Sequence, residues 1–136
     1  MKFLPEHIGL AAMNPTALKD WYERVLGAEL ICQLDKTQPA FMLSLPGGFW
    51  IEIYQADVAQ ADTAQNKLRG WRHLALRVDS MEAARAELIR QQVEISEPVK
   101  PAGGGGRVLF FRDYEDNLIH LVERTSDEGK VQLKNG

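Results

Sequence analysis

The stretch His7-Ile8-Gly9-Leu10-Ala11 returns near the middle of the chain as His73-Leu74-Ala75-Leu76-Arg77-Val78, with histidine in the same place and apolar residues at alternate positions. Alternation of period two reads as a half-buried β-strand. The same order of elements follows each copy. A helix pattern comes next, over 15–25 and 81–91, then strand patterns. Each half ends on a strand with one polar residue between apolar neighbours: Trp50-Ile51-Glu52-Ile53-Tyr54 in the first, Leu118-Ile119-His120-Leu121-Val122 in the second. His7 and Glu52 lie 45 positions apart, His73 and His120 47. The near-equal spacing and common order make the chain a tandem repeat of two β-α-β-β-β modules, an α+β fold.

Local signals set the elements. Asn14 is a helix cap and Pro15 suits a first turn, while Gly27 closes the helix whose buried stripe is Leu18, Trp21, Tyr22, Val25 and Leu26. Strands are expected over 28–32, 40–45 and 49–55, the last two joined by the Pro46-Gly47-Gly48 turn. Ser80 caps the second helix, whose stripe is Met81, Ala84, Leu88 and Ile89, and 93–95 reads as a short strand before Pro98 and Pro101. Strands over 107–112 and 118–124 complete the second module. The resulting division is 1–56 for the first module, 57–70 for a polar linker, 71–125 for the second module and 126–136 for a polar tail. Gly103-Gly104-Gly105-Gly106 lacks a following Lys-Ser/Thr and precedes a strand, so it reads as a rim loop and not a phosphate cradle.

With 45% hydrophobic and 26% charged residues and a net charge of −3, the composition is that of a globular protein with no electrostatic footprint for nucleic acid or an anionic membrane. No apolar run has signal-peptide or transmembrane length, which gives a cytoplasmic expectation. Cys32 is the only cysteine, so no disulfide or thiolate cluster forms within one chain, and its apolar surroundings suggest a small buried hydrophobe.

Strand parity sorts the side chains onto two faces. Ile8, Leu10, Ile51, Ile53, Leu74, Leu76, Ile119 and Leu121 form an apolar face for the helices to cover. The other face carries His7, Glu52, His73 and His120, with Gly9, Ala11 and Ala75 as small neighbours and Trp50, Tyr54 and Arg77 as larger ones. Glu123 falls with Ile119 and Leu121, away from the polar set. Any single strand histidine is ordinarily structural. Three imidazoles and a carboxylate at equivalent places of a repeat, however, form a donor set for a divalent transition metal (Zn, Ni, Co, Fe or Mn), and not for calcium or magnesium.

Four stretches together resemble the vicinal oxygen chelate superfamily, which includes glyoxalase I, fosfomycin-resistance enzymes, extradiol dioxygenases and bleomycin-binding proteins. They are His7-Ile8-Gly9-Leu10, Trp21 to Gly27, Gly70 to Asp79 and Asp113 to Leu121. The resemblance is nearest to its glyoxalase I-like members. It implies paired modules curling into an open, curved mixed sheet, a half-barrel with helices on the convex face, around a metal held by His7, Glu52, His73 and His120. It also implies a homodimer, with the ligands drawn from one chain or two from each. Where glyoxalase I-like sequences carry a ligand glutamate on the last strand this chain has His120, and where they carry a glutathione-contacting arginine it has Ala11 or Ala12. Both departures point away from lactoylglutathione lyase and leave Glu52 as the carboxylate able to act as base.

Three functions compete at this stage. The first is a metal-dependent lyase or isomerase acting on a small carbonyl or vicinal-oxygen substrate, with Glu52 as base. The second is an iron(II) dioxygenase of the extradiol type. The third is a small-ligand binding or resistance protein of the bleomycin-binding type, in which Trp50, Tyr54 and Trp71 stack on the ligand. Arg77 is a candidate for an anionic substrate group, and Arg107 reads as a surface ion pair. Small molecules are the expected partners, without nucleic acid or membrane.

Overall fold

A computed structural model of the chain describes residues 1–124; the expected 126–136 tail lies outside the described residues. The elements run β1 (His7–Ala12), α1 (Pro15–Leu26), β2 (Glu29–Asp35), β3 (Ala40–Leu45), β4 (Phe49–Gln55), β5 (Leu74–Arg77), α2 (Met81–Arg90), β6 (Lys100–Pro101), β7 (Arg107–Arg112) and β8 (Leu118–Glu123). Two four-stranded mixed sheets result, ordered β1-β4-β3-β2 and β5-β8-β7-β6. The orders are the same once each module is numbered from its own first strand, so the tandem repeat is present in the topology as well as the sequence. Two compact units contain them, residues 1–61 with 113–115, and 62–112 with 116–124.

In the first unit Asn14 Oδ1 accepts from Ala17 N at 3.0 Å, Pro15 takes the first turn, and Gly27 adopts the left-handed conformation at φ 69°. Leu18, Trp21, Tyr22 and Val25 are buried on the sheet side of α1, with Leu43, Leu45, Ile51 and Ile53 facing them. Leu26 is only half-buried. The Tyr22 hydroxyl donates to Asp113 Oδ2 at 2.9 Å, a buried bond to a carboxyl group only 5% exposed. Burial, and then the Asp113 charge, raise the Tyr22 pKa well above the usual phenol value. Glu115 accepts from Met13 N and Asn14 N at 2.7 and 2.8 Å and so satisfies backbone donors ahead of α1.

In the second unit Ser80 Oγ accepts from Ala83 N at 3.2 Å, and the Glu123 carboxylate accepts from Met81 N at 2.7 Å. Glu123 therefore points to the helix side, as its parity requires. Arg107 bridges Glu123 and Glu82 at 2.8 and 2.9 Å, an ion-pair role in keeping with its reading from sequence. The four-glycine segment is a turn between β6 and β7 in which Arg124 Nη1 donates to the carbonyls of Gly103 and Gly105. Gly106, at φ 96°, has no room for a side chain: a Cβ there would lie 1.9 Å from the Glu123 carbonyl oxygen.

Three expectations are corrected. Residues 93–95 are not a strand; the edge strand beside β7 is Lys100–Pro101, antiparallel to it, where Lys100 registers with Val108 and the imino nitrogen of Pro101 is tolerated at a sheet edge. Cys32 is exposed, not buried, because β2 is an edge strand whose residues are exposed on both faces. Ile89, 48% exposed, turns away from the sheet, one helical position beyond the buried Leu88. The polar segment 57–70 contains turns and no helix.

Candidate metal and substrate site

The register of each sheet determines which side chains are neighbours. In the first, parallel β1 and β4 set His7 beside Trp50, Gly9 beside Glu52 and Ala11 beside Tyr54, and Met42 of β3 lies across from Glu52. In the second, Ala75 lies beside His120 and Arg77 beside Val122, and Phe110 of β7 lies across from His120. The residue two places after each first-strand histidine thus pairs with the polar residue of the last strand in both modules. His7 with Glu52, and His73 with His120, form two equivalent pairs, each on one face of its own sheet.

His7 is exposed, and its Nδ1 lies 2.7 Å from Glu6 Oε2. That hydrogen bond raises the His7 pKa, with smaller electrostatic contributions from Glu6 and from Glu52. Tyr54 lies against Gly9, where a Cβ would come within 3.2 Å of its ring, so glycine is what lets the phenol ring settle on this face. Trp50 and Tyr54 remain 36% and 39% exposed, large ring surfaces unshielded by the rest of their unit.

The second pair packs ring against ring. His73, immediately before β5, has its ring centroid 4.3 Å from that of His120, and Phe110 packs edge-on against His120 at 4.8 Å. Lys100 Nζ sits 4.7 Å from the Phe110 ring centroid. Burial, then the charges of His73 and Arg124, lower the His120 pKa from 6.5 to about 4, so the imidazole is neutral at pH 7 and free to act as a ligand. Its Nδ1 is buried and has no hydrogen-bond partner among the described residues. A buried polar atom left in that state costs about 1–3 kcal/mol, which a bound electrophile or water recovers. His73 Nδ1 is held by Asn66 Oδ1 at 2.7 Å.

These features fit a divalent transition metal. The donors are imidazole nitrogen and carboxylate oxygen, one imidazole is kept neutral with an unsatisfied nitrogen, and two others have Nδ1 engaged, which leaves Nε2 for an ion. Among the described residues no three His, Cys, Asp or Glu side chains are grouped closely enough to hold a metal; the donors occur as one pair in each module. Arg77 is exposed on the His120 face, and Trp71, two residues before His73, is 88% exposed. Sequence reasoning missed Phe110, Lys100, Asn66, Glu6 and Arg124. For Phe110 the signal was available, because parity on β7 puts it on the face of His120.

Solved structures with the same fold include a resistance protein and an antibiotic binding protein. A point mutant of the fosfomycin resistance protein FosX from Listeria monocytogenes, complexed with Mn(II) and 1S,2S-dihydroxypropylphosphonic acid, is 22% identical, with 93% of this chain and 95% of that one covered and a TM-score of 0.71. A glyoxylase/bleomycin resistance protein/dioxygenase domain from Frankia sp. EAN1pec is 20% identical over 94% and 96% of the two chains, with a TM-score of 0.74. TnmS3, an antibiotic binding protein from Streptomyces sp. CB03234, is 21% identical over 92% and 99%, with a TM-score of 0.70. No curated protein sequence matches the chain. The family profile, in contrast, matches residues 5–121, nearly the whole repeat. The chain belongs to the Glyoxalase/Bleomycin resistance protein/Dioxygenase superfamily.

Proposed function

We propose that the protein is a metal-dependent enzyme of the glyoxalase-like group, a lyase or isomerase acting on a small carbonyl or vicinal-oxygen substrate. The observation that carries this reading is His120, whose buried Nδ1 has no hydrogen-bond partner among the described residues and whose ring lies 4.3 Å from that of His73. His7, Glu52, His73 and His120 would hold the ion, in one chain or across a homodimer. When bound, the ion supplies Lewis-acid polarisation of a substrate carbonyl. Glu52 takes the proton from the adjacent carbon. Trp50, Tyr54 and Trp71 offer aromatic surface to the substrate, and Arg77 meets an anionic group on it.

The test uses hydroxyacetone as a carbonyl probe, with exchange of its α-protons for deuterium followed by NMR. Metal-loaded protein catalyses the exchange, and Glu52→Gln that still carries metal does not; full exchange by that variant rules out Glu52 as base. Oxygen uptake with iron(II) and catechol, without exchange, replaces this reading by the dioxygenase. A binding protein is the second reading, favoured by the packed His73, Phe110 and His120 rings, which make an aromatic platform without any metal.

A further inference from the structure

The segment before β5 is built around two consecutive side chains. Arg72 Nη1 donates to the carbonyls of Asp62 and Gln65 at 3.2 and 3.1 Å, and Nη2 reaches Asp62 Oδ1 at 3.4 Å. The turn is closed by Gln65 N donating to Asp62 O at 3.0 Å, and it is tied to the start of β8 by Leu118 N donating to Thr63 O at 3.1 Å. Asn66, the next residue of this fixed turn, brings Oδ1 to 2.7 Å from His73 Nδ1. An amide oxygen only accepts, so the proton sits on Nδ1 and Nε2 carries the lone pair. In the first module Glu6 Oε2 is also 2.7 Å from His7 Nδ1, and an ionised carboxylate likewise requires Nδ1–H. Both first-strand histidines are thus held in the same tautomer by different residues from unrelated local sequence.

We propose that Asn66 is a positioning residue that fixes His73 as the Nδ1–H tautomer and turns Nε2 toward the metal, with Glu6 serving His7 in the same way. The inference rests on the metal-site reading for its purpose, but not for the tautomer itself. Partners of this kind orient imidazole ligands and typically contribute about 10–100-fold to metal affinity.

The test is long-range 1H–15N correlation of the imidazoles in the metal-free protein, at a pH of about 8.5 where ordinary imidazoles are neutral, on wild type, Asn66→Leu and Asn66→Asp. Wild-type His73 should show a protonated Nδ1 and a bare Nε2. Asn66→Leu, a change at an exposed turn position, should shift it to the Nε2–H form, and Asn66→Asp, which keeps an acceptor, should restore Nδ1–H. Mn(II) titration of the same samples should give about 10–100-fold weaker binding for Asn66→Leu and recovery for Asn66→Asp. An Nε2–H tautomer in wild type, or a tautomer indifferent to Asn66→Leu, overturns the proposal. An Asn66-dependent tautomer in protein that binds no Mn(II) supports the positioning role and removes the metal reading instead.

Discussion

His120→Leu separates a ligand from a structural histidine, because the two roles predict opposite changes in stability. Leucine is close to histidine in volume and carries no polar atom. In metal-free protein the substitution removes the buried, unsatisfied Nδ1, which relieves about 1–3 kcal/mol. It also removes the edge contact with Phe110 at 4.8 Å, at a cost of about 0.5–1.5 kcal/mol. The balance runs from about 0.5 kcal/mol against the variant to about 2.5 kcal/mol in its favour, measured by urea unfolding with chelator present. Addition of Mn(II) or Zn(II) to about 100 times its dissociation constant should then stabilise wild type by about 2.7 kcal/mol and leave the variant unmoved. A His120→Leu protein less stable than wild type by more than about 1 kcal/mol in chelator would refute the reasoning, since His120 would then be holding the fold.

The same residue predicts an acid limb in metal-free protein. Its folded pKa of about 4 lies below the ordinary 6.5, so between those values the unfolded chain binds a proton that the folded one excludes, and stability falls as pH drops through that window. Urea unfolding at pH 7 and pH 4.5 should show a smaller loss for His120→Leu than for wild type; equal losses would contradict the burial assigned to this imidazole. Tyr22→Phe deprives the buried Asp113 carboxyl of one hydrogen bond and should cost about 1.5–3 kcal/mol by the same assay, with a cost below about 0.5 kcal/mol speaking against the bond. Gly106→Ala must displace the Glu123 carbonyl and adopt a positive φ, for about 3 kcal/mol or more, whereas Gly103→Ala meets open space and should change stability by less than about 0.5 kcal/mol. Similar losses for the two alanines would count against the close approach at Gly106.

The repeat was legible because it rests on side-chain alternation, and alternation is imposed by burial of one sheet face. Ile51, Ile53, Ile119 and Leu121 are each 3% exposed or less, and the polar residues between them point the other way. Capping was legible for a similar reason: Asn14, Pro15, Gly27 and Ser80 act within a turn of where they stand. Strand pairing is a different matter. Val93 and Ile95 alternate and are half-buried, yet the strand on the outer edge of β7 is Lys100–Pro101, whose register depends on a residue across the sheet and not on its own pattern. Apolarity also misled at β2, where Leu30, Ile31 and Leu34 are more than two-fifths exposed at an edge.

For the site, parity placed the four proposed donors, His7, Glu52, His73 and His120, away from the apolar side of their strands. It gave no access to Asn66, a polar turn residue without periodicity, whose partner is known only once Arg72 has folded the turn back. Nor could it show that His120 would be neutral, since that depends on burial and on His73 and Arg124 nearby.

The central claim, that these histidines and Glu52 bind a metal, is tested most directly by the elemental content of protein purified without an affinity tag or chelator. Wild type and His120→Ala are compared. The account predicts about one divalent transition-metal ion per chain in wild type and its loss in the variant. Folded wild-type protein that holds no metal, even after Mn(II), Fe(II), Co(II), Ni(II) and Zn(II) are added back, contradicts it.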